Sequence, residues 1–107
     1  MNNMNKTIKT GNPFSTLFIM RDRKTREAIE IPSDMQISSR IVNASGHEIA
    51  VCEVTICDQS EIKGGFTLSV DQTITATWKA GTAKGDIKVN GKNSGNYSFT
   101  IEKSITP

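Results

Sequence analysis

The sequence predicts a small all-β domain built from two thin layers, and three observations lead to that prediction. The segment from Phe66 to Val70 alternates apolar and polar residues, which is the pattern of a strand with one buried face. Ile87 and Val89 alternate with Lys88 in the same way. The 107-residue chain is 36% apolar and 22% charged, which is polar for a globular protein but suits a thin fold with a single core.

The first 13 residues are predicted to be a flexible N-terminal arm, and residues 14–107 to form a single β-sandwich domain. Met1 to Pro13 is rich in Asn, Lys and Thr and has little to bury. We therefore expect a frayed terminus, with a strand completed by a partner as the alternative. Met1 to Asn12 also lacks the apolar centre of a secretory signal, and no apolar run approaches the length of a membrane span.

Four segments before Phe66 are predicted to be strands. Ser15 to Asp22 carries apolar residues on both faces. Ala28 to Ile31 is a short strand that ends at Pro32, because proline cannot donate to a ladder. Met35 to Val42 and Glu48 to Cys57 are predicted to form a hairpin around a five-residue loop.

The charged run from Arg21 to Glu27 is predicted to be a solvated loop rather than a binding patch. Acidic residues interrupt the basic ones, and no aromatic side chain is interleaved for stacking. The net charge of +2 is also too small to indicate nucleic acid or an anionic membrane. We therefore expect neither as a partner.

The two cysteines are predicted to be free thiols. Cys52 and Cys57 are five residues apart in one predicted strand, which places them on opposite faces and more than about 10 Å apart. Cys52 shares its face with Ala50 and Val54, so we expect it in the core. Free thiols indicate a reducing compartment or assembly inside a cell.

The connection after Val70 is predicted to contain one helical or 3₁₀ turn, with Trp78 packed over the end of the core. Val70, Ile74 and Trp78 are four residues apart, as on a helix face, although the same stretch also alternates like a strand. Asp71 is a suitable N-cap, and Gly81 has the position of a helix-ending glycine. The many β-branched residues argue against a long helix.

A last hairpin is predicted from Asp86 to Asn90 and from Asn96 to Ile105, with Gly91 and Gly95 as turn residues of its five-residue loop. Tyr97 lies on the apolar face of its second strand. The predicted core consists of alternating apolar residues and one thiol: Phe66, Leu68, Val70, Trp78, Ile87, Val89, Phe99, Ile101 and Cys52.

No catalytic, cofactor-binding or metal-binding residue is predicted. The only histidine, His47, lies in a predicted hairpin loop, and its sequence neighbours cannot converge on it as a catalytic triad requires. One histidine and two cysteines are too few for a structural zinc site. Gly91 and Lys92 lack the other residues of a phosphate-binding loop. We therefore expect no enzyme and no cofactor.

Residues 14–105 also follow a characteristic order of features. These are an opening strand Phe14 to Arg21, a charged turn Asp22 to Glu27, an Asp-containing turn in Ile29 to Met35, the strand Gly65 to Val70, the threonine-rich Thr73 to Thr77, Trp78-Lys79-Ala80-Gly81, and Asp86-Ile87-Lys88-Val89. This order resembles a family of short structural proteins from tailed bacteriophages and prophages. It is similar to the N-terminal β-sandwich module of baseplate upper proteins and tail-fibre proteins.

The resemblance implies an immunoglobulin-like antiparallel β-sandwich of about seven strands, with one short helical turn near Trp78. It also implies a non-enzymatic virion structural protein of the tail, baseplate or fibre, assembled in the bacterial cytoplasm. Its partners would be other phage structural proteins and further copies of the chain, and an N-terminal arm could add to a neighbour's sheet edge. The alternative is a carbohydrate- or surface-binding sandwich, which needs an exposed aromatic platform. Trp78 and Tyr97 are its candidates.

Overall fold

Two β-sheets pack face to face in the structure, a computed structural model that describes residues 2–104 and the side chains of residues 6–104. The elements are β1 (Asn2–Lys9), β2 (Phe14–Ile19), β3 (Ile37–Ser38), β4 (Arg40–Asn43), β5 (Glu48–Val51), β6 (Glu53–Ile56), β7 (Gly65–Val70), α1 (Gln72–Thr75), β8 (Gly81–Val89) and β9 (Lys92–Glu102). The predicted all-β sandwich with one short helical turn is confirmed.

The larger sheet has the strand order β1-β9-β8-β4-β5, with β3 also paired to β8, and the smaller sheet has the order β2-β7-β6. These correspond to the G-F-C-C′ and B-E-D strands of an immunoglobulin-like sandwich, with β1 added beside β9. The strands are antiparallel except for β1 and β9, which run parallel. If β3 with β4 and β5 with β6 are counted as interrupted strands, the fold has the expected number of about seven.

The first strand corrects the prediction of a flexible arm over residues 1–13. β1 pairs with β9 along the edge of the larger sheet, and Ile8 on β1 is buried. Lys9 forms an ion pair with Glu102 at 2.8 Å, and the Thr10 N–H donates to the Glu102 carbonyl. The segment is polar, so its residues show no strand pattern. Its backbone partners lie on the long edge of β9, which is distant in sequence. Met1 lies outside the described residues.

The predicted strand from Ala28 to Ile31 is wrong. Ala28 forms only an isolated bridge with Arg21. Ile31 is buried, but its N–H donates to Gln59 Oε1 at 2.9 Å and not to a neighbouring strand. Pro32 follows directly and cannot continue a ladder, so the segment is a loop held by a side chain.

The predicted strand from Glu48 to Cys57 is divided between the two sheets. β5 pairs with β4 in the larger sheet, whereas β6 pairs with β7 in the smaller one. The chain changes sheets at Cys52, whose N–H donates to the carbonyl of Ser39 at 2.9 Å. Ser39 separates β3 from β4, just as Cys52 separates β5 from β6. The two breaks therefore lie next to each other.

The core lies between the sheets and is rich in aromatic rings. Phe14 stacks on Phe99 with 5.0 Å between ring centroids, and Phe18 lies 5.3 Å from Tyr97. Among the predicted core residues, Val89 is half-buried and the others are buried: Phe66, Leu68, Val70, Trp78, Ile87, Phe99, Ile101 and Cys52. Phe14 and Ile41 are also fully buried, although the prediction did not include them.

The helical turn ends before Gly81, the glycine that was predicted to end it. Asp71 is the N-cap of α1, and its side chain accepts from the Thr73 N–H at 3.1 Å. The helix ends at the C-cap Ala76, and the next two backbone N–H groups, of Thr77 and Trp78, donate to the carbonyls three residues before them, as in a 3₁₀ turn. Gly81 is therefore not a helix cap. It begins β8 with a φ of 145°, which only glycine adopts readily.

The β8–β9 hairpin is tighter than predicted. It turns at Asn90 and Gly91, which have φ values of 52° and 83°, as in a two-residue type I′ turn. Gly95 is therefore not a loop residue: it lies within β9 and pairs with Ile87. The register shifts at this point, which leaves Ser94 as the extra residue of a bulge.

Candidate functional site

A buried polar cluster lies where the two interrupted strands meet. The Tyr97 hydroxyl is 2.8 Å from Ser39 Oγ and 3.6 Å from Cys52 Sγ. The Tyr97 ring lies against Gly85 on the neighbouring strand, where a Cβ atom would overlap the ring. The three polar groups satisfy one another, so the cluster stabilises the junction between the sheets.

This cluster does not supply an activated nucleophile. Burial raises the pKa of the Cys52 thiol and that of the Tyr97 phenol, so both groups stay protonated at neutral pH. A reactive thiol needs a lowered pKa or a nearby base. His47 is exposed in the loop between β4 and β5, where its backbone N–H donates to Asn43 Oδ1 at 3.0 Å.

The described carboxylates do not form a metal site. Within residues 2–104, no three His, Cys, Asp or Glu side chains come together in a way that could hold a metal ion. The carboxyls with a lowered pKa each accept hydrogen bonds within their own turn: Asp22 from the Thr25 N–H, Asp58 from the Ser60 hydroxyl, and Asp71 from the Thr73 hydroxyl. Their lowered pKa values therefore have a local structural cause. None of the described helices has the length and apolar character needed to span a membrane.

The aromatic side chains do not form an exposed platform. Trp78 is 6% exposed and Tyr97 is 1% exposed. Trp78 Nε1 donates to the Ile49 carbonyl at 3.2 Å, and its ring centroid is 6.0 Å from that of Phe99. The remaining aromatic residues are Phe14 and Phe66, which are buried, and Phe18, which is half-buried. The carbohydrate-binding alternative therefore lacks the surface that it requires.

Gln59 is a positioning residue that sequence reasoning missed. Its Oε1 accepts from the N–H groups of Ile31 and Gly64 at 2.9 and 2.8 Å. Its Nε2 donates to the carbonyls of Cys57 and Gly65 at 3.0 and 3.1 Å. One side chain thus joins the loop after β2 to the β6–β7 connection. Nothing in the surrounding polar sequence marks this glutamine.

The segment 48–56, termed here the edge strand, is the outermost strand of both sheets. β5 ends the order of the larger sheet and β6 ends that of the smaller one, so among the described strands this segment is paired on one side only. Val51 is 59% exposed and Ile56 is 43% exposed. The segment contains no proline, and only Glu48 and Glu53 are charged. An unprotected edge of this kind is a template for pairing with another chain.

An open cavity of about 520 Å³ borders the edge strand between β3 and β6. Its apolar lining comes from Met35, Ile37, Val54 and Ile56. The first three of these side chains are half-buried and pack against the core. The two sheets are therefore incompletely closed on this side, next to unpaired backbone.

No protein-family model matches the chain, and no curated protein matches it in sequence. The described part of the chain presents sheet edges that are paired on one side only and apolar side chains on those edges. It also carries Arg23 and Arg26, whose side chains form no ion pair with a described carboxylate.

Proposed function

We propose that the chain is a non-enzymatic structural protein that acts through protein–protein assembly. The observation that carries this proposal is the edge strand, which leaves backbone unpaired along both sheets. Val51, on this strand, is the most exposed large apolar side chain among the described residues. Free backbone groups and an apolar side chain on one segment are suited to a neighbouring strand or a flat apolar surface.

The assembly that we propose is the virion of a tailed bacteriophage, with the chain in its tail, baseplate or fibre. The support for this narrower proposal is the order of features over residues 14–105, which resembles structural proteins of phages and prophages. The partners would be other phage structural proteins and further copies of the chain. Two free thiols agree with assembly in the bacterial cytoplasm.

Charge placed on the edge strand tests the assembly surface. We expect the double variant V51K/I56K to lower self-association, measured by sedimentation velocity over a range of concentrations, because two ammonium groups oppose burial of this edge. The control is Thr100→Lys, which adds charge at an exposed position of β9 away from the edge. Equal association of both variants and the unchanged chain would count against the edge strand.

Particle composition tests the virion assignment directly. We expect peptides of the chain in mass spectra of phage particles purified on a density gradient after prophage induction in the source bacterium. Genes for tail-tube, tape-measure, baseplate or portal proteins should flank its gene. Particles that lack the chain would contradict the virion assignment, whatever the edge strand does in solution.

A further inference from the structure

A second opening lies on the side of the sandwich opposite the edge strand. It has a volume of about 700 Å³ and lies between β2 and the first half of β9. Phe18, Phe66 and Ile87 contribute apolar lining. Its charged lining comes from the loop after β2, which supplies Arg21, Arg23, Arg26 and Asp22. The opening is termed the arginine groove below.

The strands on both sides of the arginine groove have unpaired edges. β2 has β7 as its only described neighbour. The pairing of β1 with β9 begins at Tyr97, so residues 92–96 of β9 have no described strand on that side. Lys6 Nζ donates to the Ser15 carbonyl at 2.6 Å, which covers only the beginning of the β2 edge.

The free hydrogen-bonding groups of β2 can be assigned from its pairing with β7. Met20, one residue after β2, donates its N–H to the Gly64 carbonyl on the β7 side at 2.8 Å. Backbone groups of successive residues in a strand point to opposite sides. The N–H and C=O groups of Leu17 and Ile19 therefore point away from β7, toward the groove. The side chain of Leu17 is 50% exposed, and strand side chains point to the faces of a sheet and not along its hydrogen-bonding edge.

The charge of the groove is positive and not neutralised. Arg21, Arg23 and Arg26 form no ion pair with any described carboxylate. Asp22 lies among them, but its Oδ1 accepts two backbone N–H groups of its own loop at 2.8 and 3.0 Å. Three arginines and one aspartate leave two net positive charges beside an apolar opening. Guanidinium groups in this position are suited to carboxylates.

We propose that the arginine groove binds an extended acidic segment of a partner protein as an added strand along β2. The backbone of that segment pairs with the free groups of Leu17 and Ile19. Its alternate apolar side chains face Phe18 and Ile87, and its carboxylates reach the arginines. This inference deepens the proposed function, on which it rests for the premise that the chain acts by protein contact.

Charge decides against one other occupant, the N-terminal strand of a second copy. Residues 2–9 contain two lysines and no carboxylate, so they would repel the arginines. An acidic segment gains from the same charges, and its affinity should fall as salt screens them.

The probe for the groove is a fluorescein-labelled octapeptide of alternating valine and glutamate, titrated with the full chain and followed by fluorescence anisotropy. We expect saturable binding that the double variant R23Q/R26Q weakens about tenfold, because two carboxylate partners are lost. The matched control is Lys24→Gln, which removes one charge from the same loop at a position outside the groove lining and should weaken binding less than about twofold. Circular dichroism checks that each variant is folded.

A second peptide tests strand addition itself. N-methylation of alternate residues on its pairing edge removes backbone donors but keeps every side chain, and we expect affinity to fall about tenfold or more. Four results would overturn the proposal: no saturable binding, equal effects of R23Q/R26Q and K24Q, unchanged affinity of the N-methylated peptide, or arginine-dependent binding of a sulfated polysaccharide but not of the peptide. If the chain is found in particles but does not bind the peptide, the proposed function stands and the proposal for the arginine groove is wrong.

Discussion

At the scale of single residues, the structure assigns a large stabilising role to Gln59. Its four hydrogen bonds hold backbone groups from three segments of the chain. Because it is only partly buried, water can replace some of these bonds when the side chain is removed. The cost of removal should therefore be that of one or two unsatisfied groups and not of four.

We expect Gln59→Ala to lower the free energy of unfolding by about 2–4 kcal/mol. Urea denaturation measures the change. Gln72→Ala is the control, since Gln72 is an exposed residue of α1 and should change stability by less than about 0.5 kcal/mol. Equal effects of the two substitutions would show that the Gln59 bonds do not hold the loops.

Asp71 gives a prediction about pH. The hydroxyl and the backbone N–H of Thr73 both donate hydrogen bonds to the Asp71 carboxylate. These bonds favour the charged form and lower the pKa of Asp71 below its ordinary value. A carboxyl with a lowered folded-state pKa stabilises the fold above its unfolded pKa of about 4, and this contribution is lost as pH falls through the folded-state pKa. Asp71→Asn should therefore be most destabilising at neutral pH and nearly neutral in strong acid.

Urea unfolding at pH 7 and in strong acid, for Asp71→Asn and the unchanged chain, measures this difference. Asp34→Asn is the control, because Asp34 is exposed and no described N–H group donates to its side chain. A difference between Asp71→Asn and the unchanged chain that stays constant with pH would contradict the role of the carboxylate charge.

Residue roles were predictable from the sequence only where they follow from a local pattern, such as apolar periodicity or the N-cap residue Asp71. The spacing of Val70, Ile74 and Trp78 indicated a turn that brings the tryptophan over the core, and Trp78 is buried there. The predicted helix face is wrong at Ile74, which is 40% exposed, because the buried residue of α1 is Thr75. Gln59 and Gly85 depend on segments that are distant in sequence. No local pattern contains that information, so neither role could be predicted.

At the scale of secondary-structure elements, β1 is the main addition to the predicted fold. It alternates exposed and buried positions from Lys6 onward, and Ile8 is its buried apolar residue. The strand that it pairs with, β9, has eleven residues and would otherwise leave a long unpaired edge. β1 therefore belongs to the folded domain.

We expect Ile8→Ala to lower the free energy of unfolding by about 2–4 kcal/mol, because it leaves a cavity between β1 and the core. The neighbouring Thr7 is exposed, and Thr7→Ala should cost less than about 0.5 kcal/mol. Thermal or urea unfolding of the two variants compares the faces of one strand. A flexible arm would give the same small effect for both.

Strand existence was easier to predict than strand pairing. Alternation of apolar residues predicted β7, the second half of β8 and β9 from Asn96 onward, because each has one buried face. Alternation does not say which neighbour a strand pairs with, so the change of sheet at Cys52 was not predicted. The polar β1 has too few apolar residues for the pattern to appear.

At the scale of the whole molecule, the two free thiols report on the integrity of the sandwich. Cys52 is buried at the junction of the sheets, whereas Cys57 is only half-buried just after β6. A thiol reagent reaches the first when the sheets separate and the second through local motion.

We expect Ellman's reagent to titrate one thiol per chain rapidly under native conditions and the second only at the rate of unfolding. The variant Cys57→Ser should lose the rapid phase and keep the slow one. Rapid reaction of both thiols in the native chain would contradict the buried position of Cys52.

The edge strand has a further mechanical consequence. Because residues 48–51 belong to one ladder and residues 53–56 to the other, tension applied along this segment is divided between two sheets. Backbone hydrogen bonds lie across the strand direction, so such a pull loads several of them together in shear and does not open them one at a time. A neighbour attached to this segment would transmit force to both layers of the sandwich at once.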